Sequence, residues 1–371
     1  MSERHLHIVS FDIPYPADYG GAIDVFHKVR TLAAMGVRIH LHCFHYDRQH
    51  SDVLKNICEK VYYYPRNMNK TLLINPLPFI IVSRHHDVLL RHLKEDDHPI
   101  LFEGKHTCYY LDHPDLESRR KYVRTHNVES DYYASLAALE MNPFKRLYFK
   151  IESKKLKRYQ PNLKEADHLF CISEKDRQYF SKFNEHCSVV LPFHANDKVN
   201  FIAEKEDYCL YHGNLAVGEN EQAARFLVNE VFADSPIQFK IFGNGASRSL
   251  KREIAGHSNM ELIEGVRQEL YDLVTRAQVN VLPTFQATGM KLKLLFSLHN
   301  GGHVLVNDPM VNGTGAESLV HVAEGAADFK SKTAMLMNKE FDSTNEQERR
   351  KILEEKFSNE VQGRNIVSEI F

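Results

Sequence analysis

The sequence predicts an α/β protein built of two doubly wound, parallel-sheet domains facing across a cleft. Three observations predict it. Short apolar runs alternate with stretches of helical spacing from end to end. The alternation pauses once, at Pro192–Asn200 (PFHANDKVN). The length, 371 residues, suits two domains at roughly 100–200 residues each.

The first run, His5–Phe11 (HLHIVSF), reads as a strand. It ends at a Pro- and Gly-rich loop, Pro14–Gly21 (PYPADYGG). Ile23, Phe26, Val29, Leu32 and Ala33 then recur at helical spacing until Gly36, and Val37–Phe44 is the next strand. Strand, helix and strand within so short a span make a βαβ unit, and hence a parallel sheet. Further strands are expected at Lys60–Tyr64, Pro99–Phe102, Lys121–Thr125, His168–Ile172 and Ser188–Leu191. After the break come Tyr208–Tyr211, Gln238–Phe242, Met260–Ile263, Val279–Leu282 and His303–Val306, with helices between them. The tail from Asn345 is charged and helical. The expected division is 1–195, then 196–354, with a last helix near 355–371 packing back on the first domain.

Composition excludes several classes. With 43% apolar and 26% charged residues, the chain can build cores and is not disordered. A net charge of −2 argues against a nucleic-acid binder held by bulk electrostatics. The longest apolar run, Leu72–Val82, is too short to span a bilayer and carries Pro76 and Pro78. The opening MSERHLHIVSF lacks a charged-then-apolar leader, which favours a cytoplasmic protein. Six cysteines without C-x-x-C spacing read as reduced, buried thiols and argue against a zinc site. Of the 22 histidines, 17 fall in the first 200 residues, where 29 Lys+Arg face 25 Asp+Glu. The first half is therefore the more basic.

Ligands of such sheets bind beyond the carboxyl ends of the strands, so the loops there are the candidates. Gly20 and Gly21 open the first helix, where amides favour an anion. The loop is not G-x-G-x-x-G, so a nicotinamide fingerprint is absent. Tyr211–Asn214 (YHGN), Phe242–Gly245 (FGNG) and Ile263–Val266 (IEGV) end three strands of the second half with permissive turns. They offer Gly213, Asn214, Gly243, Asn244, Gly245, Gly265 and Val266 as a ligand floor. Thr288–Lys293 (TGMKLK) opens a helix; its first amides at Thr288 and Gly289, with Lys291 or Lys293, make a diphosphate seat. Helical spacing points the two lysines apart. His126 ends a strand in RTHNVE, at a carboxyl edge. Lys145–Arg158 (KRLYFKIESKKLKR) holds seven basic residues and one carboxylate, Glu152. As a helix it suits either solvent or an anionic membrane surface. No G-x-S-x-G elbow is present.

In order, PYPADYGG, RTHNVE, YHGN, FGNG, IEGV and TGMKLKLLFSLHNGGHVLV resemble the loops of GT-B glycosyltransferases. The likeness is to retaining, family-4-type bacterial enzymes that use nucleotide sugars to build surface polysaccharides. It is strongest from Glu264 to Val306, including A-x-V-x-V-x-P at Ala277–Pro283. The resemblance implies two Rossmann-like domains, the first for a glycan or lipid-linked acceptor and the second for the donor. It places Gly20 and Gly21 over the donor phosphates, and His126 at the donor sugar as the catalytic candidate. It gives Gly243, Gly245, Gly265 and Val266 to the nucleoside, and Lys291 with Thr288 and Gly289 to the diphosphate. No metal or other cofactor is implied. Two departures are visible: Thr288 and Phe296 stand where the family carries a pair of glutamates, and Asn214 and Glu219 lie where it carries Arg and Lys. Two other readings stay open on the residues: a non-catalytic relative that binds a sugar nucleotide or a partner protein, and a sugar-nucleotide epimerase of the same architecture.

Overall fold

The computed structural model describes residues 3–196, 198–200, 202, 204–285 and 291–371. The chain forms two compact units: Met1–Ala195 with Ser358–Phe371, and Asn196–Phe357.

The first unit holds a parallel sheet of seven strands: β1 (Arg4–Ser10), β2 (Val37–His45), β3 (Lys60–Pro65), β4 (Ile100–Glu103), β5 (Lys121–Thr125), β6 (His168–Cys171) and β7 (Cys187–Val189). Their spatial order is β3-β2-β1-β4-β5-β6-β7. The chain winds outward from β1 in one direction, then restarts at β4 in the other, so the topological switch point lies between β1 and β4. Strands buried on both faces read as near-continuous apolar runs, which is why β4 and β6 were legible as such.

The Gly20–Ala34 helix follows β1 and lays Val25, Val29 and Leu32 on the sheet beside Leu6, Ile8 and Ile39. The Asn359–Ile370 helix belongs to this unit, and its Ile366 and Ile370 enter the same core. A side chain at Gly363 would meet Met35 and Thr31 at 2.9 Å, so glycine sets how closely the terminal helix approaches the first. The Gln362 carboxamide accepts from the Leu191 amide at 2.8 Å, and Asn359 bonds both backbone groups of His194.

The second unit holds six parallel strands: β8 (Glu206–His212), β9 (Gln238–Phe242), β10 (Met260–Ile263), β11 (Ala277–Leu282), β12 (His303–Val306) and β13 (His321–Val322). Their order is β10-β9-β8-β11-β12-β13, with the switch point between β8 and β11. All six cysteines are free thiols, and all but Cys187 are buried. Among the described residues, no helix is long and apolar enough to cross a membrane.

Candidate functional site

Both switch points carry charge. In the first unit, helix residues Asp24 and Lys28 lie four apart and share one face, opposite Glu103 at the end of β4. The Lys28 ammonium sits 3.1 Å from Asp24 and 2.8 Å from Glu103. Arg124, one residue before the end of β5, pairs with Asp24 at 3.1 Å and donates to the Val190 carbonyl. The Phe193 amide also donates to Asp24, at 2.7 Å. Lys28, Glu103 and Arg124 are fully buried. Burial opposes the charge on Asp24, but Arg124, Lys28 and His126 overcome it and hold the carboxyl well below the ordinary range. Glu103 is likewise lowered, against its own burial, by Lys28 and His126.

His126 completes this group. Its Nε2 lies 2.9 Å from Glu103 and its Nδ1 3.7 Å from Asp24. With Glu103 ionised, Nε2–H donates. The ring is thus held by acids on both sides and keeps a small exposed edge. The ligand atoms of Asp24, Glu103 and His126 lie within 4.8 Å of one another, a spacing suited to a metal ion. The Lys28 ammonium already fills the cation's place between the two carboxylates. The loop after β5 is fixed further by a buried Lys105–Glu129 pair at 2.9 Å.

Beside this group, the loop after β1 folds on itself: Asp12 accepts from the Ile13 amide and the Tyr19 hydroxyl. Gly20 faces open space. Gly21 does not, since a Cβ there would meet the Phe11 ring at 2.6 Å. Its missing side chain serves packing within the loop. Tyr19 supplies no side-chain cap, so the first-turn amides remain oriented for an anion.

In the second unit the three glycine turns lock onto one another. The Gly213 amide donates to Phe242, the Leu215 amide to Asn244, and the Gly243 amide to Ile263. The Asn244 carboxamide donates to the Gly265 carbonyl at 3.0 Å, and the Asn214 side chain caps the Ala216 amide. A Cβ on Gly243 would lie 2.0 Å from the Gly213 oxygen, and one on Gly265 equally close to Glu269. Gly245 has φ +81 and sits against Ala216. The expectation that these glycines make room for a ligand is therefore changed for Gly243 and Gly265: they make room for neighbouring protein atoms. Val266 is exposed, its amide held by Glu269 at 2.8 Å.

At the β8–β11 switch point stands Lys291. Its ammonium pairs with Glu219 at 2.9 Å, and the Thr284 hydroxyl donates to the same carboxylate. Lys293 bonds Asn220 at 3.0 Å and the Tyr211 hydroxyl at 3.3 Å, and burial pulls its pKa down to about 8. The two lysines were expected to point apart. Instead both meet the first turn of the Gly218–Phe226 helix, because their own helix begins only at Leu292: Lys291 is its non-helical cap residue and Lys293 lies in its first turn. Thr288 and Gly289 lie outside the described residues. Phe296 packs against the buried cluster of Tyr208, Leu210, Phe242, Val274 and Ala277, makes an edge contact with His212, and carries Arg267 over its ring at 5.8 Å. His212 bonds Ser297 at 2.9 Å, and burial holds its pKa near 3, so it is neutral.

Sequence reasoning missed Asp24, Lys28, Glu103 and Arg124. A signal was present: a Lys four residues after an Asp on an otherwise apolar helix face, a carboxylate ending the strand run ILFE and an arginine inside KYVRT.

The basic segment forms the Pro143–Tyr159 helix, capped by Asn142. Glu152 turns inward and accepts from the Phe79 amide at 2.6 Å. Phe144 and Leu147 are exposed along it, with Met141 just before it. Lys155 donates to the Leu73 carbonyl, which sets the exposed Ile74 beside this helix.

No family model matches the chain. It is 28% identical, over 83% of its length and 84% of the relative's, to an uncharacterised 44.6 kDa protein in the cps region of Klebsiella pneumoniae. Among solved structures it resembles TarM (TM-score 0.71, 10% identity, 100% of this chain and 99% of that one). It also resembles a glycosyltransferase from Rickettsia africae (TM-score 0.67, 9% identity, 100% and 98%). A third likeness is Arabidopsis thaliana UGT89C1 complexed with UDP-L-rhamnose (TM-score 0.60, 16% identity, 100% of each). With two parallel α/β sheets, the chain has the GT-B glycosyltransferase fold.

Proposed function

We propose that this chain is a glycosyltransferase that moves a sugar from a nucleotide-sugar donor to a glycan or lipid-linked acceptor in surface polysaccharide synthesis. The observation that carries the reading is Lys291 at the β8–β11 switch point, in a unit of GT-B fold. The second unit takes the donor and the first the acceptor. Lys291 and the first-turn amides of the Leu292–Asn300 helix face the diphosphate. They stabilise the negative charge that builds on the leaving group in the transition state. Transfer retains anomeric configuration, a reading supported by the loop order that resembles retaining enzymes. The cps-region origin of the Klebsiella relative supports a role in polysaccharide assembly.

A thermal-shift screen against a panel of nucleotide sugars tests the reading. A donor that binds only the folded chain raises the melting temperature by mass action. Transfer then appears as release of nucleoside diphosphate when acceptor is added. Failure of every nucleotide sugar to stabilise the protein would refute the assignment.

A lysine and a helix end perform the work of a cation, so donor binding and transfer proceed without magnesium or manganese. EDTA is expected to leave both unchanged. Recovery of lost transfer on adding either ion would overturn the mechanism.

A lipid-linked acceptor lies at a membrane surface. The Pro143–Tyr159 helix, with exposed Phe144 and Leu147 among basic residues, suits such a surface, and Ile74 extends the apolar patch. The protein is expected to co-sediment with vesicles containing anionic lipid. Phe144→Asp combined with Ile74→Asp should abolish most of that binding, with melting temperature unchanged. Equal sedimentation of the variant would remove this helix from the membrane.

A further inference from the structure

We propose that His5, His40 and His98 form a binding site for a divalent transition-metal ion of the zinc class, at the amino end of the first sheet. This edge is opposite the carboxyl ends where the charged group and loops described above reside, so the inference stands apart from the glycosyltransferase reading.

The strand pattern builds the cluster. Side chains alternate across a strand, so His5 and His7 share one face of β1, and His40 and His42 share one face of β2. The register sets His7 opposite His40. His98 lies two residues before β4, whose Ile100 also pairs with His7. One ring nitrogen from each of His5, His40 and His98 lies within 4.8 Å of one from each of the others.

The distances suit an ion after a small opening. His5 Nδ1 and His40 Nε2 are 2.9 Å apart. Zinc–nitrogen bonds of about 2.0–2.1 Å place two tetrahedral ligands roughly 3.3 Å apart, a few tenths of an ångström more. His98 stacks flat on His5, with ring centres 4.4 Å apart. It must turn a ring edge toward the other two, and its side chain, 36% exposed and in a loop, has room to do so. The same exposure gives water an entry path and the fourth coordination position.

The surroundings are those of a metal-bound imidazole. Glu3 touches the far nitrogen of His5 at 3.3 Å, the carboxylate–histidine arrangement that orients ligands and raises their basicity. Asp96 lies 3.9 Å from His98 and 3.0 Å from His7, bringing negative charge near the site. Arg119 pairs with Asp96 at 3.2 Å. Neutral imidazoles favour zinc, copper and nickel over magnesium or calcium. The expectation from the sequence was of no zinc site; the histidine geometry, which the cysteine spacing does not touch, departs from it.

Titration of the EDTA-treated, gel-filtered full chain with zinc chloride tests the proposal by calorimetry and by metal analysis of the re-purified protein. One equivalent is expected, with a rise in melting temperature. Glu3→Gln should weaken binding about 10-fold, and His98→Ala and His5→Gln by about 10–100-fold or more. His50→Ala, which loses a ring stacked on Tyr63 and edge-on to His45, should bind as the parent does. His98→Ala changes a loop side chain, so it decides the matter if His5→Gln does not fold. Absence of zinc uptake by the parent, or uptake undiminished in His98→Ala, would overturn the proposal.

Discussion

Lys28→Met is expected to destabilise the first unit by about 3–5 kcal/mol, the cost of stranding a buried charge. The ammonium sits between two buried carboxylates, Asp24 and Glu103. Without it, Arg124 and His126 alone must balance both. Urea denaturation at neutral pH measures the loss. Lys28→Met made together with Glu103→Gln should cost less than Lys28→Met alone, because the stranded anion is gone. A loss below about 1 kcal/mol would mean that the group behaves as a solvated surface pair. The sign with pH follows from the depressed carboxyl of Asp24. Its stabilisation is complete above the unfolded value, near 4, and declines as pH falls toward the folded value.

Lys291→Ala should weaken nucleotide-sugar binding by about 1.5–3 kcal/mol, or roughly 10- to 150-fold, the range for a hydrogen bond to a charged group. The nucleoside without phosphates should be held as before. Glu219 sharpens the test. Its carboxylate occupies the lysine as a phosphate oxygen would, at 2.9 Å, and a donor has to displace it. Glu219→Gln is therefore expected to tighten donor binding, by up to about tenfold. Calorimetry on the three proteins separates the cases. Equal losses for nucleoside and nucleotide sugar in Lys291→Ala would remove the lysine from the diphosphate. A weakening in Glu219→Gln would make the glutamate a support for Lys291 and not its competitor.

The strands were legible because parallel strands covered on both faces are mostly apolar. Gln238–Phe242, Met260–Ile263 and His303–Val306 have the boundaries read from the sequence. The His321–Val322 strand was not legible, since two residues carry no period. β8 begins two residues early, at Glu206, because its first two side chains are exposed and free to be charged. The candidate loops were placed at strand ends by composition alone. What those loops touch was not readable. Glu219 and Lys291 are far apart in sequence, and nothing local marks them as partners. The buried group around Lys28 was hidden for the same reason. A charge within an apolar run is a signal of burial, but its partners are set only when the topology brings β1, β4 and β5 side by side.

The Asn359–Ile370 helix has a consequence for biosynthesis. The first unit's core stays unfinished until Ile366 and Ile370 arrive, yet the whole of Asn196–Phe357 is translated in between. At ~5–20 residues per second, that interval is on the order of 10–30 s. During it the nascent sheet exposes the apolar groove that the last helix will cover, along Thr31 and Met35, with the Leu191 amide still lacking Gln362. The second unit can close while the first waits. A ribosome that stalls before the Asn359–Ile370 helix emerges would therefore present an intact second unit attached to an incomplete first one, a ready client for chaperones and proteases.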